Sequence, residues 1–468
     1  MISPRAATLF LVLGLTACAP GIHPAARGGV LASGREPTAR FAVSEEARWA
    51  FWSAVATLDL RQAERRSPDR DHRRLVRALR QVMEGKMEEA EGTLLHLAST
   101  SQDSLLRTVS QVTVSSVLEF QGKWDDLHAI SQQGNQPAPT RGLERAAIEA
   151  WAAVMRLAPP TEVVFNSERS VLPYIPAVTG TPIVQVRVNG EPRWFWIDTG
   201  TSVTLIASDV AEASGIVPLT ADTLEMVTAV GITSARPAVI PTLEVGGLTM
   251  RGQTAGIVRA GELTLSVVDG SGLRTLVQID GVIGMDIIRR VNLEIDSRQR
   301  RVRISRPRRS SADGERNLFW MGYPLIRLTQ QDGSPLFFGL DTGADRTYAT
   351  DALVAKLPGG HLRRERQRIA GFGADTTLTV PTLPALAVEI NQRRFLLSGI
   401  AIHGPRRLGF VQLDGVLGND TAAGLVMRID VTNGIFELGL PFGVENARPP
   451  SVPGVRAPES WTPRASRQ

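Results

Sequence analysis

Cysteine is almost missing from this chain: a single one, Cys18, stands among 468 residues. Intrachain disulfides, thiolate metal clusters and a thiol nucleophile elsewhere are thereby excluded. Histidine is scarce too, with six scattered copies and no H-E-x-x-H pair, which argues against a zinc peptidase. No P-loop and no G-x-G-x-x-G after a strand is there to cradle phosphates. Past the N-terminus no apolar run is long enough to span a bilayer. The net charge of +5 comes from Arg-rich stretches rather than one basic face, so it lends nucleic-acid binding little support. What is present, 43% hydrophobic residues, is enough for packed cores in two or three domains.

The first 17 residues join Arg5 to an apolar run, Ala7 to Leu15, that is too short for a mature spanning helix and reads as a removable export signal. It ends in L-T-A-C, which resembles a bacterial lipobox; the resemblance implies a lipid on Cys18 and attachment to the outer membrane, facing the periplasm. Residues 18–40, rich in Gly, Pro, Ala and Arg, read as a tether. From 41 to 160 apolar residues recur at helical spacing, as in Leu75, Leu79, Val82 and Met83, after Ser44 as a helix cap. Two passages, E-G-K-M-E-E-A-E and Q-G-K-W-D-D-L-H, lie 37 residues apart and loosely resemble the inter-helix turns of tetratricopeptide repeats. That likeness implies a surface for a protein partner; a plain helical stalk is the other reading.

Near Pro159 the period turns to that of strands. The stretch from Val184, through Asn189-Gly190, to F-W-I-D-T-G-T-S at 195–202 reads as a hairpin delivering Asp198. The stretch from Pro324, through Asp332-Gly333, to F-G-L-D-T-G-A-D at 338–345 repeats the plan and delivers Asp341, 143 residues later. Downstream landmarks recur in the same order. Gly231 stands ten residues before Pro241 as Gly371 does before Pro381, and Asp280-Gly-Val-Ile-Gly284 is matched by Asp414-Gly-Val-Leu-Gly418. The chain contains an internal duplication, with a first lobe at 161–305, an Arg-rich linker at 306–316, a second lobe at 317–442 and a Pro/Arg-rich tail at 443–468. Trp194, Phe195 and Trp196 read as core.

With paired Asp-Thr-Gly motifs and paired hydrophobic-hydrophobic-Gly motifs (Val282, Ile283, Gly284; Val416, Leu417, Gly418), residues 165–441 resemble the retropepsin-like aspartic peptidases, with two lobes in one chain as in pepsin. The fold class expected is therefore multidomain α plus all-β: a helical region followed by two homologous β-rich lobes forming a bilobal protease. The resemblance implies Asp198 and Asp341 as catalytic residues, and loop support from Thr199, Gly200, Thr201, Thr342, Gly343 and Ala344. The Thr hydroxyls are expected to brace the two loops against each other, and the glycines to permit tight turns. Gly231, Gly371, Phe372 and Gly373 are the candidate flap positions, without the tyrosine of the pepsin flap. Met285 and Asn419 stand where retroviral enzymes commonly carry Arg, so support beneath the second loop must differ.

Two adjacent carboxyl groups share one proton, and the ionised one activates a water for attack on a peptide carbonyl; no cofactor or metal is required. Because Thr201 donates a hydroxyl where Ala344 has none, Asp198 is expected as the base and Asp341 as the acid. The function expected is a membrane-tethered aspartic endopeptidase acting on envelope peptides or proteins, with no role for nucleic acid. The alternatives are a catalytically silent peptide-binding module and a repeat-type scaffold. On the peptidase reading, deleting residues 40–160 should leave peptide turnover intact.

Overall fold

The computed structural model describes residues 45–132, 143–177, 180–228, 231–268, 274–309, 316–357, 361–371, 374–404 and 407–439. The expected export signal, the tether with its expected lipidation at Cys18, and the tail lie outside them.

Among the described residues seven helices come first: α1 Glu45–Ala56, α2 Leu60–Arg65, α3 Arg70–Met83, α4 Met87–Thr100, α5 Ser104–Gln121, α6 Trp124–Gln132 and α7 Leu143–Met155. Their ends follow from local chemistry. Asp69 and Asp103 accept from the first free amides of α3 and α5, caps that contribute about 1 kcal/mol each. At the other ends Gly85 and Gly122 adopt left-handed φ of 74° and 71°, and the amides of Lys86 and Lys123 close back on Gln81 and Leu118. Both Gly-Lys passages singled out in the sequence thus end one helix and begin the next. Among the described residues no helix is long and apolar enough to cross a membrane.

The β-rich remainder holds two lobes of repeated plan. In the first, Pro182–Val188 and Glu191–Ile197 form the expected hairpin, with Asn189 and Gly190 both at positive φ in a tight turn. In the second, Pro324–Thr329 pairs with Pro335–Leu340, and Asp332-Gly333 sits in a longer turn closed by the Gln330 amide on Ser334. The second strand of each hairpin is covered by a parallel partner: Gly281–Ile283 lies beside Glu191–Ile197, and Gly415–Leu417 beside Pro335–Leu340. The lobes are joined edge to edge where Asn292–Asp296 pairs antiparallel with Val426–Asp430. Phe195 and Trp196 are core, with 0% and 1% exposure.

The apolar core departs from the sequence reading of a separable helical region. Leu75, Leu79, Leu94, Leu97, Leu106 and Leu118 share one buried cluster with Phe319, Met321, Tyr323, Leu325, Phe337, Val411 and Leu413 of the second lobe. Trp151 and Met155 of α7 belong to the other cluster, which runs through both lobes. Trp320 donates its indole N–H to the Ser116 carbonyl of α5 at 3.1 Å, and Trp151 donates to the Glu225 carbonyl at 3.0 Å. The helices form a layer built onto the lobes, because the outer face of the second lobe is itself apolar. Deleting them would expose that face to water.

Candidate active site

The two Asp-Thr-Gly loops meet with near two-fold reciprocity. Thr199 donates its amide to the Thr342 hydroxyl at 3.0 Å, and Thr342 returns its amide to the Thr199 hydroxyl at 3.0 Å. Each hydroxyl then donates across the lobe boundary, Thr199 to the Leu340 carbonyl at 2.9 Å and Thr342 to the Ile197 carbonyl at 3.1 Å. All four bonds are buried, where a lost partner costs about 1–3 kcal/mol. The structure brings together the loops that the sequence separates by 143 residues, braced as the side chains suggested.

Asp198 and Asp341 are each 3% exposed. The Gly200 amide donates to Asp198 Oδ1 at 2.7 Å, and the Gly343 amide to Asp341 Oδ1 at 2.9 Å. The reason for glycine differs from the one expected. Neither Gly200 nor Gly343 is at positive φ; a Cβ on Gly200 would lie 2.6 Å from Asp341 Oδ1, and one on Gly343 2.7 Å from both carboxylate oxygens of Asp198. It is close approach of the opposite carboxyl, rather than turn geometry, that excludes a side chain.

The difference between Thr201 and Ala344 also proves smaller than their side chains imply. Thr201 donates its hydroxyl to Asp198 Oδ2 at 2.9 Å, but the Ala344 amide donates to Asp341 Oδ1 at 3.0 Å. A backbone donor thus replaces part of what the missing hydroxyl would supply. Burial and the neighbouring Asp341 push Asp198 up to about 8, against the Gly200, Thr201 and Gly343 donors that favour its ionised form. Burial, and then repulsion between the two carboxyls, both favour keeping a proton, and that proton belongs to the pair rather than to either residue.

The second motif holds each loop from beneath. Asp198 donates its amide to the Ile283 carbonyl and Asp341 to that of Leu417, both at 3.0 Å. Met285 and Asn419 donate to the carbonyls of Thr201 and Ala344 at 2.7 and 2.8 Å. A Cβ on Gly284 or Gly418 would collide with the backbone of Val203 or Arg346, within 2.8 and 2.5 Å. The support the sequence left open comes from two residues it did not single out. Asp286 accepts the amide and hydroxyl of Thr204 at 3.0 and 2.8 Å, and Asp420 those of Thr347 at 2.9 and 2.7 Å. The signal is legible: each Thr stands six residues after its Asp-Thr-Gly aspartate, and each Asp two after its motif glycine. Asp280 and Asp414 form a further pair, accepting the amides of Trp194 and Phe337 at 2.8 Å.

Of the flap candidates, Gly231 and Gly371 lie on long hairpins. Leu224–Thr228 pairs with Gly231–Val245, the last rung joining Thr228 to Gly231, and Arg363–Gly371 pairs with Ala374–Ile390 up to Gly371 and Ala374. Phe372 and Gly373 lie outside the described residues. The Trp151 indole of α7 donates to the first of these hairpins at Glu225.

Residues 184–287 match the family model described as aspartyl protease. That segment is similar to the aspartyl proteases, and the enzyme class it supports is that of an aspartic-type endopeptidase. The solved structures it is similar to include the aspartic proteinase from Irpex lacteus, at 14% identity and a TM-score of 0.37, covering 59% of this chain and 98% of that one. A retropepsin-like aspartic protease from Rickettsia conorii is similar at 19% identity and a TM-score of 0.22, covering 31% of this chain and 94% of that one. Comparison with curated protein sequences finds no match.

Proposed function

We propose that the two lobes form one peptidase active site in which Asp198 and Asp341 hold a water between them and share one proton. The observation that carries this reading is the reciprocal lock of Thr199 and Thr342, which leaves each aspartate against the other lobe's glycine. The ionised carboxylate takes a proton from the water as it attacks the peptide carbonyl carbon. The protonated partner donates to the carbonyl oxygen and so offsets the charge of the tetrahedral intermediate. When the C–N bond breaks, a proton passes to the leaving nitrogen and the pair returns to its singly protonated form. Peptides or unfolded proteins are the substrates, and the chemistry needs no metal or cofactor. Turnover of a peptide library between about pH 3 and 8 is expected to fall by about 10²–10⁴-fold in Asp198→Asn and in Asp341→Asn, since each removes one half of the acid–base pair. Full activity in either variant would exclude a shared dyad.

The cellular setting is also a proposal. The apolar run and L-T-A-C ending at Cys18 support an enzyme anchored by lipid to the outer membrane and facing the periplasm, where envelope proteins are its substrates. Incorporation of labelled palmitate is expected in the full chain and not in Cys18→Ser. A labelled Cys18→Ser protein would place the anchor elsewhere.

A further inference from the structure

Between the helical layer and the first lobe lies a cavity of about 370 Å³, within the ~300–1,000 Å³ of small-molecule sites. Its walls come from the ends of α5 and α7, the start of α6 and the segment from Met285 to Arg290 behind the first catalytic loop. Arg289 is the side chain on these walls with most left unsatisfied. Its guanidinium lies over the Phe120 ring, 5.0 Å from the centre, and that ring is itself 4.9 Å from the ring of Trp320. One of its nitrogens would stand 3.7 Å from a Cβ on Gly122, so the group rests at the C-terminal end of α5, the negative end of the helix dipole. It is held by a stack and a dipole, yet no described residue accepts a hydrogen bond from it. Glu119 and Asp286 act on its charge from beyond ion-pair distance. A planar fork of N–H donors thus meets no acceptor.

Unpaired acceptors stand on the same walls. Gln253, Gln121 and Ser202 all line the cavity, and Gln253 Oε1, Gln121 Oε1 and Ser202 Oγ have no hydrogen-bond partner. Gln253 is the most telling, being 1% exposed with its amide nitrogen committed to Asp286 Oδ2 and to the Thr254 carbonyl, each at 2.8 Å. Those two bonds fix which way the amide faces and leave its carbonyl oxygen over. The second lobe has no counterpart: at the offset of Arg289 from the motif glycine it carries Ala423, and at that of Arg290 it carries Gly424. The duplicated fold therefore does not require an arginine at this place.

Each part of the wall selects a chemical group. Arg289, with Arg156 and Arg290 also on the walls, selects an anion whose oxygens can take a fork of donors. Arg290 is partly committed, donating Nε to the Asp286 carbonyl at 3.0 Å. Glu119, Asp125 and Asp286 oppose a doubly charged ligand, which favours a carboxylate over a phosphate. The glutamine carbonyls select an N–H donor, and Trp124, Met155 and Pro159 supply apolar surface. We propose that this cavity is a binding site for the C-terminal end of a short peptide, with its carboxylate on Arg289, its last amide N–H serving the unpaired glutamine carbonyls and its last side chain on the apolar wall. Free C-terminal ends are products of the reaction proposed above, so on that reading the enzyme holds product behind its first catalytic loop.

The test is calorimetric titration of the full chain at about pH 6 with N-acetylleucine, which carries a carboxylate, an amide N–H and an apolar side chain. One molecule is expected to bind per chain. N-acetylleucinamide, which lacks the charge, is expected to bind at least about tenfold more weakly, and N-acetylleucine to lose as much on Arg289→Met, because charge-assisted hydrogen bonds are removed. Ala158→Trp, which fills the cavity from the segment after α7, is expected to abolish binding, whereas Asp198→Asn in the catalytic cleft should leave the affinity as it is. Absence of N-acetylleucine binding overturns the proposal. So does equal binding of acid and amide, or binding that survives both Arg289→Met and Ala158→Trp, which would seat the molecule elsewhere. Inorganic phosphate binding more tightly than N-acetylleucine would make this a phosphate site and sink the peptide-end assignment. Should Arg289→Met fail to fold, the acid–amide comparison on the parent chain and Ala158→Trp decide the matter. If binding is as expected while the parent chain cleaves no peptide, the site stands and the peptidase reading falls.

Discussion

The two catalytic loops have equivalent geometry and different surroundings. Both rest on a motif glycine, both are tied by an Asp–Thr pair, and each braces the other. Behind the first lies a cavity walled by Glu119 and Phe120 of α5 with Arg289 over the Phe120 ring; behind the second lobe's hairpin stands the apolar core of the helical layer. Duplication thus supplied the chemistry that needs two identical carboxyls, and the added helices treat the copies unequally. Symmetry here belongs to the dyad, its Thr brace and the Asp–Thr ties beneath it, and is lost in what packs behind the two lobes.

The sharpest way to break the equivalence is to place a methyl group on each glycine in turn. Gly343→Ala puts a Cβ within 2.7 Å of the Asp198 oxygens, and Gly200→Ala does the same to Asp341 at 2.6 Å. Both are expected to abolish turnover to about the level of the aspartate variants, since misplacement by about 1 Å already costs about a hundredfold. Wild-type rates in one of them would show that the carboxyls do not approach that closely. Next in size is removal of residues 45–132. Because Phe319, Met321, Tyr323 and Phe337 pack against those helices, the truncated chain is expected to aggregate or lose most of its turnover, contrary to the behaviour of a detachable docking region. A soluble truncation with unchanged kcat would return the helices to that role.

Much of the site is legible in the amino-acid sequence, because duplicated motifs carry their spacing with them. The hairpins, the paired aspartates, the Thr brace and the strand beneath each loop all follow from residues within one repeat. Contacts that depend on how the repeats and helices meet are not legible in that way. The glycines at 200 and 343 look like turn residues, since nothing in one repeat reveals the carboxyl of the other. The Ala344 amide can be weighed against the Thr201 hydroxyl only when the backbone direction is known. The apolar outer face of the second lobe, Phe319 and Met321 included, reads as lobe core rather than as a seat for helices.

Buried carboxyls on both lobes also set a pH dependence. Burial and the neighbouring Asp341 raise Asp198 to about 8 as one half of the pair, and burial raises Glu119 to about 7 and lifts Asp286, Asp414 and Asp420 as well. A carboxyl raised on folding adds stability that is full below its unfolded value of about 4 and is lost as pH climbs through the folded one. The thermal midpoint is therefore expected to fall between about pH 5 and 8, and to fall less steeply in Asp198→Asn and in Glu119→Gln. An unchanged slope in both variants would mean that neither group keeps its proton in the native state.

The smallest expected effect concerns the one side chain by which the loops differ next to the carboxyls. Thr201→Ala removes the hydroxyl on Asp198 Oδ2 and leaves the Gly200 amide in place. Losing a donor to the ionised form raises the apparent pKa of the acidic limb of the pH–rate profile, by about one unit for a bond of about 1–1.5 kcal/mol. Ala344→Thr is the reciprocal variant, and its outcome separates two accounts of the asymmetry. If the Ala344 amide already does the work of the absent hydroxyl, adding one moves the limb little; if Asp341 depends on having fewer donors to remain the acid, the limb moves down and kcat falls. The first outcome is expected, because Asp341 Oδ1 already accepts two amides at 2.9 and 3.0 Å.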